Sequence, residues 1–169
     1  MAKNSTKQIK IKIKKEHFDI FLELIGILFV IILIFLSINY YSQLPEEIPI
    51  HLNFKGEIDG YGPKYILLIF SLIGIIIYSG LFVLSKYPHK FKYLVKITEK
   101  NAEKQYLKST RLIRKMNVII VAMILFIVYE IIQISLTGKP FRLAPMIYLF
   151  LFLLLIIIGF YIISSLKEK

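Results

Sequence analysis

Four long apolar runs constrain this chain more than any other feature of its sequence. Each run has about the 20 residues that a helix needs to cross roughly 30 Å of hydrocarbon, because a helix rises ~1.5 Å per residue. Helices buried in water-soluble proteins are seldom this long without charges. Apolar residues make up 57% of the 169 residues, so little chain remains for a soluble domain. The predicted transmembrane helices are Ile20–Tyr41, Tyr65–Leu84, Met116–Leu136 and Leu143–Leu166.

Basic residues alternate between the segments that flank these runs. Eighteen Lys and Arg residues lie in segments 1–19, 85–115 and 167–169, against four in segments 42–64 and 137–142. Because Lys and Arg near helix ends are held on the cytoplasmic side, this bias predicts that both termini are cytoplasmic. Segment 42–64 is then the main outer loop. The apolar part of the first run is too long for a cleaved signal peptide, so we expect an uncleaved anchor.

The formal net charge of +11 belongs to the segments expected on the inner side. A basic balance that membrane topology explains needs no phosphate backbone as its partner, so we do not expect nucleic-acid binding. Anionic lipid headgroups are the expected counter-charge, at roughly 1 kcal/mol per basic residue near the surface. The chain has no cysteine, which excludes disulfides, thiolate metal sites and cysteine nucleophiles.

The outer loop interrupts the apolar runs with prolines, glycines, acids and one histidine. Apolar and polar residues alternate from residue 48 to residue 55, which is the two-residue period of an extended strand. We expect the apolar members to lie against the outer helix ends: Ile48, Leu52 and Phe54. The polar members are expected to face outward: His51, Asn53 and Lys55. Residues that oppose a helix or supply turns are Pro45, Pro49, Gly56 and Gly60.

The loop also carries a family resemblance. The stretch "LPEEIPIHLNFKGEID", residues 44–59, resembles the signature of a bacterial membrane domain of unknown function, number 1648. Segment 95–118 is similar to the inner segment of small members of that family. The same domain forms the N-terminal part of the SdpI-like immunity proteins, which protect cells against a membrane-active toxin. The resemblance implies a bacterial cytoplasmic-membrane module over residues 20–136, with a fourth helix at 143–166 added to it.

Segment 86–115 combines a high density of basic residues with an apolar stripe. On a helical wheel one narrow, mostly apolar stripe is formed by Phe91, Leu94, Val95, Thr98, Ala102, Tyr106, Ser109, Leu112, Ile113 and Met116, and every charge from Lys92 to Lys115 lies outside it. This pattern predicts an amphipathic helix on the inner leaflet that bends into the third span. A helix packed on a partner, or on the cytosolic face of the protein itself, is the alternative. The residues expected to face lipid headgroups are Lys92, Lys96, Lys100, Lys104, Lys108, Arg111 and Arg114.

Catalytic patterns are scarce. His17 and His89 are expected on the inner side and His51 on the outer side, so two histidines cannot be assigned to one zinc site. Metalloprotease, P-loop and dinucleotide motifs are absent from the sequence. We therefore predict no enzyme, cofactor or metal site. His51 with the nearby acids could make a weak metal or proton site, although a loop histidine beside acids is more often solvated.

Glu130 is the acid farthest inside a predicted span. A carboxylate in the bilayer costs about 2.5 to 3.5 kcal/mol on insertion scales, so Glu130 should face the bundle interior, be neutral or have a partner. Lys64 and His51 are the nearest basic candidates, and a neutral or outward-reaching Glu130 is the alternative. The hypothetical binding residues are therefore His51, Asn53, Asp59, Lys64 and Glu130.

These observations predict an all-α membrane protein with four spans, and they favour a non-enzymatic function. The favoured function is an interaction, sensing or immunity-type module whose outer loop contacts a peptide, a toxin or a membrane partner. A small transporter or intramembrane enzyme with a polar site around Glu130 is the alternative. The sequence indicates neither the identity of a partner nor an oligomeric state.

Overall fold

Four helices hold most of the chain, and the four apolar runs lie within them. The computed structural model describes residues 9–11, 13–53, 57–139 and 143–167, apart from the side chains of residues 52 and 143. The elements are α1 His17–Tyr41, β1 Glu47–Leu52, β2 Ile58–Pro63, α2 Ile66–Leu84, α3 Ala102–Thr137 and α4 Leu143–Leu166. Each helix is long and apolar enough to cross a membrane, so this is a multi-pass membrane protein and the predicted fold class is confirmed.

The helices pack around α3. It contacts all three other helices, and α1 also packs on α2, while α4 lies mainly against α3. α1 and α3 begin, and α2 and α4 end, at the same end of the bundle, and this end is called the basic end because the Lys- and Arg-rich segments flank it. The opposite end carries the hairpin of β1 and β2 and is called the hairpin end. With 36 residues α3 is about 54 Å long, so it extends well beyond the hydrocarbon thickness.

Small residues let α1 and α2 approach each other closely. The hydroxyls of Ser37 and Ser71 share a hydrogen bond of 2.5 Å between these helices. A Cβ added at Gly74 would lie 2.6 Å from Leu33 Cδ2, and one added at Gly26 would lie 2.6 Å from Cε2 of Tyr78. Such contacts permit tight helix packing in a membrane, where lipid tails are as apolar as leucine side chains.

A two-stranded antiparallel sheet caps the hairpin end. In its register Ile48 faces Gly62 and His51 faces Gly60, with irregularities on both sides of His51. Leu44 and Ile48 are buried in one apolar core with residues of α1, α2 and α3. That core comprises Leu33, Leu44, Ile48, Leu67, Ile124, Val128, Ile131 and Ile132. The hairpin is thereby fixed to the bundle.

The predicted strand in the loop is confirmed, but the alternation of its faces is interrupted. Ile48 is buried as expected, yet Pro49 is also buried and Ile50 is 38% exposed. The register shifts between Pro49 and His51, and such a bulge redirects the side chains that follow it. His51 faces solvent as predicted. The predictions for Phe54, Lys55 and the side chain of Leu52 lie outside the described residues.

The predicted amphipathic helix over 86–115 is wrong in its first half. After a short 3-10 turn at Pro88–Lys90 the chain is irregular until α3 begins at Ala102. The side chain of Asn101 accepts a hydrogen bond from the Thr98 amide at 2.8 Å and donates one to the Lys96 carbonyl at 3.1 Å. These local side-chain bonds compete with helix formation.

The irregular segment folds back on α3. The Tyr93 hydroxyl donates to the Pro88 carbonyl and shares a second hydrogen bond with the Ser109 hydroxyl, each of 2.8 Å. Burial raises the pKa of the Tyr93 hydroxyl above its ordinary value. Tyr106 is 2% exposed and donates to the Ile9 carbonyl at 2.8 Å. The part of the apolar stripe at Ala102, Tyr106 and Ser109 therefore packs on the protein itself, as in the alternative stated above, whereas Leu94 is 58% exposed. Residues 102–115 continue into the third span as one helix.

Candidate functional site

The hairpin brings together several of the predicted binding residues. His51 Nδ1 lies 2.5 Å from Asp59 Oδ1, between the two strands. Asn53 Nδ2 donates to the Glu57 carboxylate at 2.8 Å, and the Glu57 amide donates to Asn53 Oδ1 at 3.0 Å. These polar pairs stand at and beside the turn of the hairpin, where His51 and Glu57 are exposed to solvent.

Glycines in β2 make room for the side chains of β1. A Cβ at Gly60 would lie 2.9 Å from His51 Cβ, and a Cβ at Gly62 would lie 2.6 Å from Ile50 Cδ1. Gly60 lies within β2 and makes room for His51, so the prediction that it supplies a turn is wrong. Of the other predicted motif residues, Pro45 is exposed before β1, Pro49 is buried within it, and Gly56 lies outside the described residues.

Lys64 secures the base of the hairpin. Its amide donates to the Glu46 carbonyl at 2.9 Å, and its Nζ donates to the Glu46 carboxylate at 3.0 Å. The ammonium also lies 5.3 Å from the ring centre of Tyr41, a cation–π distance. Lys64 is thus committed to the junction between the hairpin and the helices.

Glu130 lies in the bundle interior, as the sequence predicts. It is fully buried, and neither carboxylate oxygen has a hydrogen-bond partner within the described part of the chain. The next two residues of α3, Ile131 and Ile132, belong to the core beneath the hairpin. Its expected partners are engaged elsewhere, Lys64 with Glu46 and His51 with Asp59. The structure therefore does not join Glu130 to the other hypothetical binding residues.

An ion-pair network at the basic end escaped the sequence analysis. Asp19 of α1 is fully buried and lies 3.2 Å from Arg111 Nε and 3.4 Å from an Nη atom of Arg114. Arg114 also binds Glu23 at 2.9 Å, and Arg111 binds Glu16 at 2.5 Å. These contacts tie the first turns of α1 to the N-terminal part of α3.

The network is balanced in charge. Lys15 completes it, with its Nζ 2.7 Å from the Glu23 carboxylate. Three cations and three carboxylates are therefore matched, and the ion-pair network is defined by Lys15, Glu16, Asp19, Glu23, Arg111 and Arg114. Such balance is required because a buried charge without a partner is strongly destabilising.

Two of the residues expected to face lipid headgroups are used in this network instead. Arg114 is 8% exposed and Arg111 is 26% exposed at the side chain, so the prediction for these two arginines is wrong. A helical wheel of α3 alone assumes that both arginines are exposed to water, whereas the folded chain packs both of them against α1. A weak signal was available, because acids at 16, 19 and 23 share one face of α1 and arginines at 111 and 114 share one face of α3.

The remaining basic residues of that set divide into two groups. Lys92, Lys96, Lys100 and Lys104 are exposed, so lipid contact stays a prediction for them. Lys108 donates to the Ser164 carbonyl of α4 at 2.8 Å. Next to it Gln105 and Ser165 exchange two hydrogen bonds, of 2.9 and 2.6 Å. These contacts fix the end of α4 to α3.

The hairpin and its two flanking helices are also the part of the chain with recognisable relatives. Residues 27–77 match the model of a family described as a domain of unknown function, DUF1648. Over this segment the chain is similar to the DUF1648 family. Comparisons with curated proteins and with solved structures gave no match. The DUF1648 segment contains the hairpin, Glu46 and Lys64, whereas Asp19 and Glu130 lie outside it.

Among residues 9–11, 13–53, 57–139 and 143–167, no group of three or more His, Asp or Glu side chains is arranged to hold a metal ion. The contact of His51 with Asp59 is a pair of exposed side chains, which suits partner recognition or solvation better than tight metal coordination.

Proposed function

We propose that this protein is a non-enzymatic interaction module of a bacterial cytoplasmic membrane, in which the hairpin binds an extended cationic peptide at the outer surface. The observation that carries the proposal is the two-sided character of the hairpin. Ile48 is fully buried on the helix bundle, while Tyr61 in the opposite strand is 60% exposed. A binding surface needs this combination of a rigid support and an accessible face.

The free edge of β2 supplies a way to bind a peptide. In the described part of the chain the sheet has two strands, so β2 pairs with β1 on one side only. Unpaired strand edges present backbone N–H and C=O groups that an extended peptide can match by adding a strand. Side chains beside the edge then provide the selectivity.

Charge favours a cationic partner. The loop from residue 42 to residue 64 contains four acids, Glu46, Glu47, Glu57 and Asp59, and two lysines. Glu47 is exposed at the start of β1. Opposite charge accelerates encounter and rejects partners of the wrong sign. We also propose that this acidic loop lies on the outer side of the membrane, because the Lys- and Arg-rich segments that flank the helices favour the cytoplasmic side.

The test is a selection of random eight-residue peptides against the full chain in zwitterionic nanodiscs. We expect Lys- and Arg-rich peptides whose affinity falls about tenfold for Glu47→Lys and for Asp59→Lys, because each reversal places a like charge against the cationic peptide. Glu103→Lys is the matched control, because Glu103 is an exposed acid of α3 near the basic end. Peptides that lose equal affinity for all three variants, or a selection that yields no cationic peptide, would refute the proposal.

A transporter or intramembrane enzyme is the second candidate, and the buried Glu130 carboxylate favours it. Proton pathways use such intramembrane acids. Proteoliposomes loaded with a pH-sensitive dye test this candidate. A proton flux carried by the wild type and lost in Glu130→Gln would support it, whereas equal permeability of the two proteins would remove Glu130 from any transport function. In the favoured proposal Glu130→Gln leaves peptide binding by the hairpin unchanged.

A further inference from the structure

A cleft opens at the basic end, on the opposite side of the bundle from the hairpin. Its volume is about 500 Å³. Its walls are formed by the segment before α1 with the first turn of α1, by the turn after α2, and by one face of α3. We propose that this cleft binds the phosphate group of an anionic ligand through Lys10, Lys14 and Lys86.

The positive charge around the cleft favours a phosphate group as its ligand. Asp19 is the acid in the cleft wall, and it is already bound to both arginines of the ion-pair network. Lys15 and Arg114, which also line the cleft, are already paired with carboxylates of the network, Lys15 with Glu23 and Arg114 with Glu23 and Asp19. The excess positive charge therefore comes from the other lysines.

Lys10, Lys14 and Lys86 line the cleft and have no carboxylate partner among the residues that the structure describes. Lys86 lies over the Phe82 ring, with its Nζ 4.1 Å from the ring centre, so its stem is positioned while the ammonium keeps its hydrogen-bond donors. Three lysines from two separate segments thus supply positive charge to one cleft, and lysine binds phosphate as a point charge.

The position of the cleft suits a ligand at a membrane surface. α1 begins at His17 and α2 ends at Leu84, so the cleft lies beside the ends of two helices that are apolar enough to span a membrane. Basic pockets between transmembrane helices at this level bind lipid headgroups. Ile11, Ile13 and Pro88 add apolar wall next to the lysines. A phosphate joined to an apolar group fits this wall, and a free phosphate fits the lysines alone.

The ion-pair network keeps the cleft in shape. Arg114 forms part of the wall and is fixed by Asp19 and Glu23, and the hydroxyl of Thr110 donates to the Leu107 carbonyl at 3.0 Å. The wall formed by α3 is thus ordered before any ligand arrives. Less side-chain entropy is then lost on binding, which raises affinity.

The test uses the full chain in zwitterionic nanodiscs and two probes, a short-chain phosphatidylglycerol and inorganic phosphate. The cleft variant is Lys14→Gln with Lys86→Gln. The matched control is Lys139→Gln with Lys167→Gln, which removes the same charge from exposed lysines that neither line the cleft nor belong to the set predicted to face lipid headgroups. A second cleft variant, Lys10→Gln with Lys14→Gln, leaves the Lys86 contact with Phe82 intact.

We expect both cleft variants to bind phosphatidylglycerol about tenfold more weakly than wild type, and the control to stay within about twofold. Inorganic phosphate that displaces the lipid would identify the phosphate group itself as the recognised element. Failure of inorganic phosphate to compete would assign the site to a lipid headgroup with its apolar part. Equal weakening in cleft and control variants, or no binding of either probe by wild type, would overturn the proposal.

Discussion

The ion-pair network makes the most specific energetic prediction. Asp19 accepts hydrogen bonds from the Glu16 amide at 3.0 Å, from Arg111 at 3.2 Å and from Arg114 at 3.4 Å, and it has no exposed surface. Asp19→Asn keeps the size of this side chain and removes its charge. Both arginines then lose their shared carboxylate while they stay close to each other.

The structure sets the size of the effect. Removing one partner of a buried ion pair costs about 3 to 5 kcal/mol when the other charge is left uncompensated. Here each arginine keeps a second carboxylate, Arg111 that of Glu16 and Arg114 that of Glu23. Arg111 is also 26% exposed, so water can replace part of the lost interaction. We therefore expect Asp19→Asn to lower the free energy of unfolding by about 2 to 3 kcal/mol.

Unfolding of the full chain in mixed micelles, driven by a denaturing detergent, measures this free energy. A double-mutant cycle with Arg114→Gln should give a coupling of at least about 1 kcal/mol, because the two side chains are in contact. Glu103→Gln, an exposed acid on the same helix as Arg114, should change stability by less than about 0.5 kcal/mol. If Asp19→Asn costs no more than Glu103→Gln, or if the two changes in the cycle simply add, the network does not hold α1 to α3.

Two further predictions concern helix packing and orientation. Gly26→Ala should lower the free energy of unfolding by about 1 to 3 kcal/mol, since its Cβ would lie 2.6 Å from the ring of Tyr78. Gly80→Ala has nothing within 4 Å of the new Cβ and should instead gain about 0.5 to 1 kcal/mol; equal unfolding midpoints would contradict this account. An impermeant thiol reagent should label Asn53→Cys in intact cells and Lys100→Cys only after lysis. Labelling of Lys100→Cys in intact cells would reverse the proposed orientation.

The helices were predictable because their signal is local. An apolar run of about 20 residues excludes other structures in a bilayer, since every backbone polar group there must be satisfied within the segment. The start of α1 at His17, three residues before the predicted Ile20, shows the usual uncertainty at a helix end. Residues 86–101 were mispredicted because a helical stripe is also compatible with an irregular segment. The contacts that decide between them are the local side-chain bonds of Asn101 with Thr98 and Lys96 and the contact of Tyr93 with Ser109 on α3, none of which a helical wheel considers.

The candidate site was predictable only in part, for the same reason. His51 and Asp59 are eight residues apart, and a hairpin brings them into contact. Glu130 was identified by its position in an apolar run. It has no partner in the described part of the chain because Lys64 pairs with Glu46 and His51 contacts Asp59, and the sequence does not show these pairings. The cleft at the basic end was not predicted, because its lysines converge only when the chain before α1 folds beside the turn after α2.

The sequence by itself determined that this chain has four membrane-length helices, an acidic loop with strand character between the first two, and basic flanks. Hydrophobicity, charge and turn chemistry decide these features residue by residue. Only the tertiary structure decided which charges are neutralised and which stay available. Asp19 and Arg114 are 95 residues apart in the chain, and their pairing depends on the packing of α1 on α3. A charge pattern gives the sign of a surface, whereas the partner of each charge is set by distances that only folding creates.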